Sequence, residues 1–176
     1  DALSDPNGNE SLEMQVNRFM AAQAIMLSLI GLPGIYFHSL FGSRNWKEGM
    51  RITNHNRTIN RHKLERAELE EQVANSNSLR AQVFTRYRQL LLARSSSAAF
   101  HPHGSQKVLD AGNGVFALSR ISPDGTKNVL CLQNVTAYEQ RIENMINKTA
   151  RDLLTNRFQD PEIILRPYQS VWLEIS

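Results

Sequence analysis

The sequence predicts a chain in two parts, an α/β segment of parallel architecture followed by a small antiparallel β-domain. Three observations lead there. Residues 12–30 carry apolar side chains at helical spacing, stop at Gly31-Leu32-Pro33, and are followed at once by the run Ile35-Tyr36-Phe37. A helix, a tight link and a strand buried on both faces form the repeating unit of parallel sheets. Next, the polar stretch Gly42-Ser43-Arg44-Asn45 lies where that strand's carboxyl end is expected, the place where α/β folds gather ligand-binding groups. Last, beyond Ser95-Ser96-Ser97 and His101-Pro102-His103-Gly104 the pattern changes to short strands separated by turns. The boundary is therefore set near residues 101 and 102.

Each element has its own local reason. Residues 1–9 are rich in turn formers, and Asn7 or Asn9 can cap the following helix, whose positive end Glu10 and Glu13 favour. Helix 12–30 begins amphipathic (Leu12, Val16, Phe19, Met20) and becomes almost continuously apolar from Ala24, which predicts a far end fully covered by protein. Gly31 and Pro33 end it, because glycine accepts a left-handed cap and proline cannot continue a helix. The β-branched and aromatic residues Ile35, Tyr36 and Phe37 then suit a buried strand. Residues 47–62 show no sustained period and are rich in Asn, Arg and Thr, which reads as a long functional loop. Helix returns over 63–73, with Glu65, Glu68, Glu70 and Glu71 mostly solvated. Asn75-Ser76-Asn77 offers caps for a second helix, in which Leu79, Val83, Tyr87, Leu90 and Leu91 form one core-facing stripe. In the tail, strands are expected at 106–110, 115–121, 128–135, 139–143, 162–165 and 171–175, with Pro123-Asp124-Gly125 as a hairpin turn.

Composition removes several classes of function. The net charge is only +3, from 20 Lys and Arg against 17 Asp and Glu, and the arginines are spread along the chain. Nucleic-acid binders concentrate basic residues, so no nucleic-acid partner is expected. The longest apolar run, 20–32, is interrupted by Gln23 and Ser28 and is too short for a bilayer; no membrane partner is expected either. Cys131 is the only cysteine and sits in Val129-Leu130-Cys131-Leu132, which marks a buried, inert thiol. A cytoplasmic setting fits. Four Asn-x-Ser/Thr matches carry no weight in a chain this rich in those residues. The first residue is Asp1 rather than methionine, which suggests a piece of something larger.

Candidate chemistry is thin in acids and rich in guanidinium and amide groups. The carboxylates lie in turns or on the solvated helix after Lys63, so no catalytic pair is visible. His38 reads as a core histidine of the buried strand. His55 and His62 are too far apart for one helical face, and His101 and His103 flank a linker proline. Neither spacing nor cysteines suit a structural metal, and no cofactor is expected. The stretch 53–61 is the leading candidate, because Arg57 and Arg61 stand among asparagines, and fixed guanidinium and amide groups suit a sugar or phosphate. The same arginines can equally tie the loop down. Trp46 reads equally well as a platform for a sugar ring and as a lid on the core.

Three blocks, GLPGIYFHSLFGSRNW, NRTINR and AFHPHGSQKVL, resemble sucrose phosphorylase-like enzymes of the alpha-amylase superfamily, in the branch that includes glucosylglycerate phosphorylases. The resemblance covers most of the chain. It implies the C-terminal portion of a (β/α)8 barrel followed by a small antiparallel β-sandwich domain. Residues 12–30 would be the seventh barrel helix, 34–39 the eighth strand and 79–94 the last helix, with the β-domain from about residue 102. Such enzymes work by a retaining double displacement with an aspartate nucleophile, a glutamate acid/base and a third, stabilising aspartate. By the resemblance all three precede Asp1, so this chain is expected to be inactive alone. Arg57 matches the arginine at the glucosyl pocket, and residues 1–7 match a loop bordering the acceptor site. Ser43, Arg44, Asn45 and Arg61 would shape the pocket's far wall. Sucrose phosphorylases have an acidic residue where this chain has Trp46, which argues against fructose as the acceptor.

The implied partners are a small-molecule sugar and phosphate. One strand and two helices cannot close a barrel, so apolar surface is expected to remain open and to invite self-association. The competing expectation is a non-catalytic carbohydrate-binding or truncated scaffold protein.

Overall fold

The computed structural model describes residues 3–4 and 8–175. The helices come first: α1 (Leu12–Ser28), α2 (Phe37–Leu40), α3 (Lys47–Thr53), α4 (Arg66–Ala74) and α5 (Leu79–Ser96), with 3₁₀ turns at Asn56–Asn60 and Ala98–Phe100. Eight strands follow: β1 (Ser105–Leu109), β2 (Val115–Ile121), β3 (Asn128–Asn134), β4 (Gln140–Ile142), β5 (Ala150–Asp152), β6 (Phe158–Gln159), β7 (Ile163–Leu165) and β8 (Ser170–Glu174).

Six strands make one antiparallel sheet in the order β1-β2-β3-β8-β5-β6, and β4 pairs with β7 in a second. Period-2 alternation sends neighbouring residues to opposite faces. Leu118, Val129, Cys131 and Trp172 face Val16, Met20, Leu27, Val83, Tyr87 and Leu90 of α1 and α5. Their neighbours Ala117, Leu130, Leu132, Val171 and Leu173 join Ile142, Ile163 and Leu165 of the smaller sheet. The central sheet is thus covered on both faces, which is why Val129-Leu130-Cys131-Leu132 reads as an unbroken apolar run. The Cys131 thiol is pushed well above its usual range by burial, against the opposing pull of the Arg120 and Arg94 charges. Tyr87 packs fully buried between the layers, its hydroxyl donating to Gln23 Oε1 at 2.6 Å. Burial pushes that phenol up to about 12.

Two arginines tie the layers together at the carboxyl end of α1. Arg94 of α5 donates to the carbonyls of Leu27, Leu29 and Gly31, the last at 2.6 Å. Arg120 of β2, fully buried, donates to Ser28 O at 2.8 Å, His101 O at 3.1 Å and Ser105 O at 3.3 Å. Both guanidinium carbons lie over the Phe100 ring, at 5.5 and 5.7 Å. Helix carboxyl ends carry partial negative charge, so the two cations meet the one part of the backbone that compensates them.

Several sequence expectations change. Residues 32–36 form no strand: they join no ladder among the described residues, and the chain turns helical at Phe37. A strand needs a neighbour for its backbone groups, and here none pairs with them; Tyr36 and Phe37 are about half exposed. His38 accordingly lies in α2 and is half-buried rather than a core residue. The far end of α1 is not fully covered either, since Leu29 and Ile30 are exposed. The expected long loop contains α3 and a 3₁₀ turn. Ser11 caps α1, accepting from Met14 N, and Ser78 caps α5, accepting from Ala81 N; each stands directly before its first helical residue, closer than the asparagines expected to cap. Strands β5 and β6 were not foreseen, at three and two residues too short to show alternation. The Pro123-Asp124-Gly125 turn forms as expected, with Gly125 at φ +72°.

Arg120→Met keeps the side-chain stem but strands three carbonyls. In a urea titration it is expected to cost about 3 kcal/mol or more, and a loss under about 1 kcal/mol would refute the tie.

Candidate functional site

The best-defined polar site is the turn after α2. Gly42 takes φ +59°, and a Cβ there would meet Val83 of α5 at 2.8 Å, so the turn lies directly on that helix. Ser43 N donates to His38 O at 2.8 Å, and the Ser43 hydroxyl is 3.2 Å from His38 Nδ1. The same hydroxyl accepts from Arg80 Nη1 at 2.9 Å, and Arg80 also bonds Gln72 of α4. Arg44 donates to Ser4 Oγ and to Gln15 Oε1, both at 2.7 Å, which ties the turn to α1. Ser43, Arg44 and Asn45 form a ridge between two pockets, of about 580 and 220 Å³. Trp46, His62 and Arg80 complete the larger pocket, and Tyr36, His38 and Asn60 the smaller.

The wall beyond is built on Trp46. Its indole lies 4.8 Å from the His62 ring, between centroids, and packs so closely on α3 that position 49 has no room for a side chain: a Cβ would sit 2.1 Å from the ring. Trp46 N donates to Ile59 O at 2.8 Å, and the Tyr36 hydroxyl to Asn60 O at 2.6 Å. The 3₁₀ turn is thereby fixed to the residues flanking the ridge. Thr53 Oγ1 lies 2.8 Å from Thr58 Oγ1 and closes the same turn onto α3.

The structure brings Ser43, Arg44 and Asn45 together. It places Arg57 and Arg61 on and just after the 3₁₀ turn, both exposed; their side chains make no hydrogen bond or ion pair among the described residues, and neither lines one of the four main pockets. Residues 1–2 and 5–7, most of the stretch matched to an acceptor-site loop, lie outside the described residues. Sequence reasoning missed Arg80 and the polar roles of His38 and Tyr36. One signal was available: a cation in the first turn of a helix opposes the macrodipole, so Arg80 needs a tertiary reason for its place.

The electrostatics suit a neutral or anionic polyhydroxyl ligand. Burial lowers the pKa of His38, and the positive charge of Arg80 lowers it further. The imidazole is thus neutral at pH 7, able to donate or accept. Neither pocket holds a carboxylate among the described residues, so these offer binding groups and no acid–base pair. Among the described residues no three His, Cys, Asp or Glu side chains group as metal ligands, and no helix is long and apolar enough to cross a membrane.

The helical layer and its sheet domain define an alpha-amylase-family fold. A variant of the alpha-amylase-family protein AmyP, solved with maltotriose, matches 99% of this chain and 37% of its own, with a TM-score of 0.73 and 16% identity. The sequence narrows the relationship. The chain is 51% identical over 140 residues to glucosylglycerate phosphorylase of Spirochaeta thermophila, covering 78% of this chain and 24% of that protein. It is 38% identical over 173 residues to glucosylglycerate phosphorylase of Allomeiothermus silvanus, covering 98% of this chain and 30% of that protein. No family model matches. The chain thus falls with the sucrose phosphorylase-like enzymes of the alpha-amylase superfamily, and its helices and sheets fit the end of a barrel followed by a sheet domain. It spans 24% and 30% of the length of these two curated relatives.

Gly49→Ala is expected to dislodge the Trp46 indole, at a cost of about 1–3 kcal/mol. Fluorescence reads this directly: the Trp46 emission should shift to the red while fully buried Trp172 is unaffected. An unchanged spectrum would show that Trp46 does not depend on the bare backbone at position 49.

Proposed function

We propose that these residues form part of a glucosyl-transferring glycoside phosphorylase, which cleaves an α-glucoside of the glucosylglycerate type with phosphate and releases glucose 1-phosphate. The observation that carries the reading is 38% identity to a glucosylglycerate phosphorylase across 98% of the chain. In this reading the reaction is a retaining double displacement, and its nucleophile and proton donor come from outside these residues. Among the described residues no two carboxylates line any one of the four main pockets, which accords with that. Arg57 holds the glucosyl unit, and Ser43, Arg44, Asn45 and Arg61 shape the far wall of its pocket. The division between barrel segment and β-domain falls near residue 101, and the setting is cytoplasmic.

The test uses the gene product whose reading frame contains this chain. With glucosylglycerate and phosphate it should release glucose 1-phosphate, and Arg57→Ala should lower kcat/KM about 10- to 100-fold, the worth of one charge-assisted hydrogen bond. The 176-residue chain alone should release none. Turnover by the pure chain would overturn the division of labour; no phosphorolysis by the full product would overturn the activity.

Leu29, Ile30, Leu32, Tyr36 and Phe37 are exposed along the segment that leaves α1, with Leu32 at 86%. Such a contiguous apolar surface favours association. Sedimentation of the isolated chain should therefore show species larger than the monomer, and a monodisperse monomer would count against this part of the reading.

A further inference from the structure

A third cavity, of about 420 Å³, lies between α1, α5 and the connection from β7 to β8. It shares no lining residue with the two pockets beside the Ser43–Asn45 ridge. We propose that this cavity binds a phosphorylated monosaccharide. Its volume is in the range of small-molecule sites, and its described lining comes from α1, α5, Leu154, Thr155 and the β7–β8 connection.

The phosphate half rests on two guanidiniums. Arg86 of α5 is half-buried and lines the cavity, and one of its amino groups is engaged by Asn17 Oδ1. Its remaining N–H groups have no protein partner among the described residues, yet no buried side-chain nitrogen is left unsatisfied there. Those groups are therefore open to solvent. Arg166 supplies a second guanidinium at the exposed rim. Arg86 has its pKa lowered chiefly by burial, with Glu13 opposing that shift and the charge of Arg166 adding to it. Two guanidiniums thus line the cavity against the one carboxylate of Glu13, and a phosphate accepts from both forks.

The sugar half rests on Glu13, Asn17, Gln89 and Tyr168. The carboxylate and amides are hydroxyl-binding groups, and the floor from α1 and α5 is apolar. Tyr168 takes φ +55°, a left-handed conformation costing about 1–3 kcal/mol for a bulky residue. The Arg18 guanidinium lies 5.0 Å from its ring, and Tyr168 N donates to Thr136 O at 3.2 Å. An aromatic face held this way is a wall for the C–H side of a sugar ring. A simple brace between Arg86 and Asn17 requires neither Arg166 nor a strained tyrosine.

Isothermal titration calorimetry of the chain with glucose 6-phosphate tests the assignment, with glucose and inorganic phosphate as separate probes. Glucose 6-phosphate should bind with a dissociation constant of about 1 mM or tighter, and each half at least about tenfold more weakly. Arg166→Ser, which alters an exposed side chain, should weaken binding about tenfold. Phosphate binding as tightly as glucose 6-phosphate, or no heat at about 10 mM ligand, overturns the inference. So does unchanged binding in Arg166→Ser, an outcome that would leave the proposed function standing.

Discussion

The fold depends on how the carboxyl end of α1 is closed. That helix has no basic residue in its last turn, and its chain leaves through Gly31 and Pro33, so its final carbonyls look outward with no backbone partner. Arg94 and Arg120 take them from two directions, one from the helix layer and one from the sheet. Separating the two parts is costly: a buried guanidinium without acceptors costs several kcal/mol, and stranded carbonyls add to that. Phe100 lies beneath both cations and against Trp172, 4.7 Å away between ring centroids. Helix, link and sheet therefore meet at one place. The direction in which residues 31–36 leave it determines where the Ser43 ridge can lie.

Much of this was legible in the sequence. Long segments whose partners lie within the chain were mostly readable, whereas β5 and β6, though paired, are too short to show alternation. The 3.6-residue stripe of α5 and the apolar run of β3 both announce burial, although only the folded sheet shows that Cys131 and Leu132 serve different cores. Residues 35–37 carry equally strong strand chemistry, but strand formation is a property of two segments, and no described segment pairs with these. The resemblance to a barrel's eighth strand reads the same residues as a strand with neighbours. Helix α3 was hidden because Gly49 and Thr53 depress helix propensity, while the compensating gain, the packing of Trp46 onto bare backbone, involves a contact that periodicity does not record.

The candidate site divides along the same line. A glycine and three polar residues directly after an apolar run were enough to single out Ser43, Arg44 and Asn45, and the fold assembles them into one ridge. Arg57 and Arg61 were singled out by composition among asparagines, which says nothing of where a long side chain points. Arg80 went unseen because its partners, Ser43 and Gln72, lie 37 and 8 residues away.

The charge on the ridge follows from its neighbours. Burial depresses the pKa of His38 and the charge of Arg80 adds to it, so the imidazole is neutral where Ser43 needs a hydrogen-bond partner. Among the described residues the ridge is left with fixed cations, an amide and a hydroxyl, and with no carboxylate lining either pocket beside it. A surface so composed favours an anion or a polyol and gains nothing from acid–base chemistry of its own. In a phosphorolytic enzyme the attacking group is an anion that must approach catalytic carboxylates against like-charge repulsion. Under the proposed function, guanidiniums near that path lower the cost, and those of the ridge stand on a segment held by the closure of α1 rather than by reacting groups.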